Sequence, residues 1–422
     1  MCVWRCVIAL ASGEDGALGS WVAIRHSRGL GIGGGSERGL KVLMISKALT
    51  VGAYHAKLRE LSRLGVELTV VVPRKWLGEE MEPVRPDGYE LLVMDCAFSW
   101  TPHLHFYPKI SEVVAREVWD LVHIDEEPFH VVTYQALRAC LREGRKAVFF
   151  TWQNMRITYP PPFQYFERFS DQRADGAIAG SDEVRDVLVA RRFSKLIGVI
   201  PQFGVDTELF QPRDATDLRE KLGLGGKFAV GYVGRIVKQK GIADLIQALA
   251  ALPERCVLVL VGSGDFESRA RVVAEELGVD SRIRWVSHVS SVEIPQYMNA
   301  LDVVVLPSRT TLRWKEQFGR VLIEAMACET AVVGSNSGEI PNVIGDAGRV
   351  FPEENVEALV EDLHALYESS EIRGELGARG RARVLKNFTH RRIAEETVKF
   401  YESVVGGSYS RELKEAVTVA AS

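Results

Sequence analysis

Residues 228–252 read FAVGYVGRIVKQKGIADLIQALAAL, and this run decides the fold. Residues 228–233 form a short, β-rich apolar stretch of the kind found in buried strands of parallel sheets. Residues 242–252 then carry apolar side chains at helical spacing. The loop between them holds Arg235 and Lys240 and closes on Gly241. Strand, loop and helix in that order make one unit of an open α/β sheet. In such sheets ligands bind at loops leaving the carboxyl ends of strands.

A second run repeats this arrangement. A strand-like stretch beginning at Asp302 leads into residues 316–324, EQFGRVLIE. One loop therefore offers two cations, and the other offers two carboxylates at the same sheet edge. A guanidinium forks onto phosphate oxygens and an ammonium adds a point charge. A carboxylate accepts two hydroxyl protons at once, the geometry of a sugar diol. A molecule carrying both phosphate and diol is a sugar nucleotide. On one continuous helix Glu316 and Glu324 would stand about 12 Å apart along the axis, so they cannot flank one atom. Gly319 suggests a helix start, with Glu316 on the loop and Glu324 inside. The amides of Phe318, Gly319 and Arg320 would then be helix-start donors able to face a sugar or diphosphate. The simpler alternatives are a solvated basic loop, a first-turn charge at Glu316 and a surface residue at Glu324. The apolar neighbours Val321, Leu322, Ile323, Ala325 and Met326 instead point to a partly buried Glu324.

The 422 residues suit two domains. The net charge of −4 provides no global basic field for nucleic acid. The 46% hydrophobic content is that of a globular protein, and no apolar run is long enough to span a bilayer. Six scattered cysteines with no Cys-x-x-Cys pair indicate a reducing compartment and neither disulfide nor metal use. Gly and Ser dominate after residue 10 up to Gly39, so residues 1–40 are expected to be a disordered extension. From Lys41 the pattern alternates strands with helices. Strands are expected at 41–46, 67–73, 89–95, 121–125, 146–151 and 176–179. A second series is expected at 228–233, 256–261, 283–286, 302–306, 331–334 and 349–351. The Pro-bounded segment 201–212 separates the two series. The expected domains are 41–205, rejoined by a closing helix near 392–406, and 206–391.

The order and spacing of several segments resemble the retaining GT-B glycosyltransferases of family four. They are Arg235-x4-Lys240-Gly241, the spacing from Glu316 to Glu324, GSNSGEIP from Gly334, VHIDEEP at 122–128 and IPQFGVDTELF at the domain junction. The resemblance covers residues 41 to about 401. It implies two doubly wound, Rossmann-like α/β domains facing across a cleft, with acceptor on the first and donor on the second. It implies that Arg235 and Lys240 neutralise the departing diphosphate and that Glu324 holds the ribose. Glu316 and the amides of Phe318, Gly319 and Arg320 would bind the transferred sugar. Gly262 and His288 would lie near the base or diphosphate. Gly52 matches the family's glycine loop, although one glycine stands where relatives often have two. The donor would be a UDP- or GDP-sugar and the acceptor a sugar or glycolipid, in the cytoplasm. No Asp-x-Asp pair occurs, so no metal or other cofactor is expected, and the Arg/Lys pair must supply the positive charge.

In the first domain Asp125 aligns with the position where relatives often carry a histidine. It is assigned to steering the acceptor hydroxyl or positioning the sugar. His123 alternates with it along a strand and is either an acceptor contact or a core residue. Trp152 and Asn154 are acceptor candidates, with core packing and loop capping as alternatives. His103 and His105 alternate like metal ligands, but no further ligand cluster accompanies them in sequence. Lys57, Arg59 and Arg63 place positive charge on the first helix, which leaves peripheral membrane contact open beside a plain solvated face. Rival classes are a sugar-nucleotide epimerase, a phosphorylase and a non-catalytic carbohydrate-binding protein.

Overall fold

The computed structural model describes residues 21–24, 39–287 and 289–406. The chain forms two compact units. One runs to Phe203 and resumes at Ile393; the other runs from Gly204 to Arg392.

The first unit contains β1 (Trp21–Ile24), β2 (Lys41–Ile45), β3 (Glu67–Pro73), a small ribbon of β4 (Lys75–Trp76) and β5 (Glu79–Glu80), then β6 (Glu90–Met94), β7 (Leu121–Ile124), β8 (Ala147–Thr151), β9 (Gly176–Ala179) and β10 (Leu196–Val199). The main sheet has the order β1-β6-β3-β2-β7-β8-β9-β10. Its strands are parallel except β1, which pairs antiparallel with β6. Strands β7 and β8 are buried along their whole length. Helices cover both faces of such a sheet, which is why these strands read as apolar runs rather than alternating patterns. The closing helix His390–Gly406 returns Phe400, Tyr401 and Val404 to the core of this unit.

The second unit contains β11 (Phe228–Val233), β12 (Cys256–Val261), β13 (Ile283–Val286), β14 (Val303–Leu306), β15 (Ala331–Ser335) and β16 (Arg349–Phe351). Its order is β13-β12-β11-β14-β15-β16, all parallel. Each sheet reverses its direction of growth beside its first parallel strand. The switch point lies between β2 and β7 in the first unit and between β11 and β14 in the second. The loops at a switch point diverge to opposite faces and leave a crevice for a ligand.

Three expectations need correction. The segment Trp21–Ile24 lies inside the supposed structureless extension, yet its aromatic and β-branched residues pair with the edge of β6. The rest of residues 1–38 lie outside the described residues. Strand β10 is an addition to the expected series: it is four residues long, only half-buried, and interrupted by Gly198, against which Phe400 packs. Finally, Ser46 and Asp125 sit one residue beyond their strands, which places both side chains at the switch point.

Candidate functional site

In the second unit the loop after β11 and the loop after β14 meet through side chains. Lys240 Nζ lies 2.5 Å from Glu316 Oε2. Ser308 Oγ donates to the same oxygen at 2.7 Å, and Lys240 Nζ sits 5.1 Å from the centre of the Trp314 ring. Glu316 is 7% exposed, so its charge is held by partners rather than by water. Arg235 is exposed, and among the described residues its guanidinium forms no ion pair. Its carbonyl is fixed instead, accepting from the buried Tyr232 hydroxyl at 2.7 Å.

The backbone holds these loops at a spacing that only glycine permits. A Cβ on Gly241, whose φ is +67°, would lie 1.9 Å from the Pro307 carbonyl oxygen. A Cβ on Gly338, φ +55°, would lie 1.9 Å from the carbonyl oxygen of Glu316. The loops after β11, β14 and β15 are thus pressed backbone to backbone around the Lys240–Glu316 pair. Gly262 follows β12; its amide donates to Val286 O at 2.8 Å, and it abuts the Gly234 carbonyl. His288 lies outside the described residues.

The helix Arg320–Ala327 starts where expected, with Gly319 as its left-handed cap. Glu316 is therefore on the loop and Glu324 is in the second turn. Burial raises the Glu324 carboxyl above its ordinary value, and the Arg320 guanidinium pulls it back. Arg320 Nε stands 2.8 Å from Glu324 Oε1, which is the partner a largely buried carboxylate requires.

In the first unit the corresponding switch point gathers Ser46, Lys47, Asp125, Glu126 and Gln202. Asp125 Oδ2 accepts from Ser46 Oγ at 2.6 Å and from Gln202 Nε2 at 3.0 Å. The residue is 4% exposed. Burial raises its carboxyl, opposed first by the Lys57 ammonium. Lys57 is itself buried, 3% exposed, and donates to Gln202 O at 2.9 Å. Its expected place on a solvated, positive helix face is therefore wrong: position 57 lies on the inward side of the helix His55–Arg63. His123 is fully buried, its Nδ1 2.6 Å from the Tyr401 hydroxyl and its Nε2 3.9 Å from Asp125 Oδ1. Burial holds this imidazole well below its usual range, so it is neutral.

Gly52 opens a short turn, and its amide donates to Glu82 Oε2 at 2.6 Å. Trp152 is half-buried, with Nε1 donating to Gln202 Oε1 at 3.0 Å, and Asn154 is buried near Glu183. Sequence reading does not single out Ser308, Trp314, Gln202 or Lys47. The first two follow β14 within the same strand-end loop as Glu316, so their position is the available signal. It also misses the partners of His105. The fold brings Glu126 and His130 to it, while His103 bonds to His130.

Two family models match successive parts of the chain: Glycosyltransferase Family 4 over residues 55–209, and Glycosyl transferases group 1 over residues 214–383. The chain belongs to the family-four glycosyltransferases. This glycosyltransferase is 29% identical to the capsular polysaccharide biosynthesis glycosyltransferase CapM of Staphylococcus aureus, over 60% of its own length and 70% of CapM. It is 34% identical to spore coat protein SA of Bacillus subtilis, over 47% of its length and 57% of that relative. Among solved structures it is similar to sucrose-phosphate synthase from Thermosynechococcus elongatus, with TM-score 0.66, 21% identity and coverage of 87% and 100%. It is also similar to Anabaena HepE in complex with UDP, with TM-score 0.65, 20% identity and coverage of 86% and 100%. These likenesses establish the GT-B fold.

Proposed function

We propose that this glycosyltransferase moves a hexose-type sugar from a nucleoside-diphosphate sugar to an acceptor hydroxyl, with retention and without a metal at the diphosphate. The observation that carries the reading is the Lys240–Glu316 pair at the switch point, with exposed Arg235 on the same loop. An ammonium has three protons, so Lys240 can stay on Glu316 while presenting the others to a phosphate. Arg235 and Lys240 then stabilise the charge that grows on the departing diphosphate, where a preorganised cation is worth most. Glu316, fixed by Ser308, accepts the hydroxyls of the sugar. Glu324 takes the ribose, while the Phe318–Arg320 helix start, Gly262 and His288 complete the donor site. Gly52, Asp125, Trp152 and Asn154 are assigned to the first unit's share of sugar and acceptor binding, and His123, fully buried against Tyr401, is left out of it.

UDP is the favoured carrier, since HepE has been crystallised with UDP, with UDP and glucose, and with UDP-glucose. CapM, named for capsular polysaccharide biosynthesis, supports a glycan or glycolipid acceptor. Among the described residues no helix is long and apolar enough to cross a membrane. The four described cysteines are all free, which suits a cytoplasmic site of action. Incubating the protein with UDP- and GDP-hexoses and candidate acceptors, and determining the anomeric configuration of the product, tests the proposal. Glycosidic product with the donor's configuration supports it. Conversion of the donor sugar with no acceptor added would instead mark an epimerase.

A further inference from the structure

Within the first unit a second polar cluster is built from residues the transfer reading leaves unused. His105, Glu126 and His130 come from the loop before the helix Ile110–Ala115, from the end of β7 and from the cap of the helix Val131–Glu143. Their exposures are 0%, 2% and 2%. One ligand-type atom from each lies within 4.8 Å of the others.

The hydrogen bonds orient two of the rings. His105 Nδ1 stands 3.0 Å from Pro102 O. A carbonyl only accepts, so Nδ1–H is committed to Pro102 and Nε2 is the ring nitrogen left to a ligand. That Nε2 is buried, has no hydrogen-bond partner, and faces Glu126 Oε1 at 3.6 Å. His130 Nδ1 lies 3.2 Å from Glu126 Oε2, and its Nε2 lies 3.1 Å from His103 Nδ1. A metal on His130 Nδ1 leaves Nε2–H to donate to His103, and the Pro102 carbonyl does the same for His105. Ligating imidazoles are commonly held by such outer partners.

A cation already approaches this carboxylate. Lys47 pairs with Glu126 through its ammonium, its Nζ is 3.3 Å from His130 Nδ1, and its amide donates to Glu126 Oε1 at 2.9 Å. Its side chain is 21% exposed, unlike those of the three ligands, so it has a path to water.

We propose that His105 Nε2, Glu126 and His130 Nδ1 form a binding site for a divalent transition metal of the zinc class, with Lys47 as the built-in competing cation. Two imidazoles and one carboxylate suit zinc, and they suit magnesium poorly because it prefers oxygen ligands. The bound ion would tie the His105 loop to the end of β7 and to the following helix. Lys47 would have to turn outward as the ion entered. The site uses none of the second-unit residues assigned to the donor, and its test needs no transfer assay.

The test is calorimetric titration of the chelator-treated full chain with Zn²⁺, repeated with Mg²⁺, on wild type, His105→Gln and Lys47→Met. The expected result is saturable 1:1 Zn²⁺ binding in wild type and no Mg²⁺ binding. His105→Gln should weaken zinc binding at least tenfold. Lys47→Met should tighten it about tenfold, a gain that a misfolded variant cannot imitate. Equal zinc affinity in wild type and His105→Gln overturns the site. No tightening in Lys47→Met overturns the competing role of the lysine.

Discussion

Lys240 Nζ and Glu316 Oε2 lie 2.5 Å apart although 76 residues separate them in the chain. The contact joins the loops on the two sides of the second sheet's switch point, and Ser308 locks the carboxylate from behind. A cation for phosphate and an acceptor for hydroxyls are thereby presented side by side. Lys240→Ala should lower kcat/KM for transfer roughly a hundredfold to a thousandfold, the loss typical of one preorganised charge-stabilising donor. Glu316→Gln retains an oxygen for Ser308, and it should lose activity while keeping the fold. Steady-state kinetics with circular dichroism on each variant checks both.

The close approach at Gly338 gives a second expectation. Its φ of +55°, with a Cβ at this position only 1.9 Å from Glu316 O, leaves no room for alanine. Gly338→Ala should cost about 1–2 kcal/mol for the left-handed backbone alone. Because the displaced backbone is that of Glu316 itself, activity should fall further than stability. Chemical denaturation measured alongside kinetics separates the two losses.

Lys57 and Asp125 illustrate what is legible in the sequence and what is not. Arg235, Lys240, Glu316 and Glu324 can be placed because each stands on a strand–loop–helix pattern whose period is visible locally. The same period puts Asp125 at a strand end. It cannot show that Lys57 turns inward, because its bond partner Gln202 is 145 residues away and joins it only through the fold. The short, half-buried β10 escapes for a related reason: edge strands lack the long apolar signature of the sheet centre. His105, Glu126 and His130 lie on three separate elements, so no spacing rule unites them.

Removing the buried ammonium should be costly. Lys57→Met leaves Asp125 without the positive charge that most opposes its burial, and the Gln202 carbonyl without its donor. A loss of roughly 1–3 kcal/mol is expected, the cost of leaving a buried acceptor unsatisfied. Urea denaturation of wild type and variant measures it.

The Asp125 carboxyl provides a pH signature. Its folded-state value is raised by burial, so the protonated form is favoured in the fold. Its contribution to stability is fully present below the ordinary aspartate range and is lost as pH rises through the raised value. Asp125→Asn removes this dependence. The stability of wild type relative to Asp125→Asn should therefore decline from acid pH towards neutrality, as read by urea denaturation at a series of pH values.

Donor binding to Arg235 and Lys240 is the centre of the account, and thermal stabilisation by nucleotide sugars tests it most directly. A ligand that binds only the folded state raises its stability in proportion to the logarithm of its concentration over Kd. Saturating UDP- or GDP-hexose should raise the melting temperature of wild type, and the rise should largely vanish in Lys240→Ala and Arg235→Ala. Equal stabilisation of wild type and both variants would contradict the account.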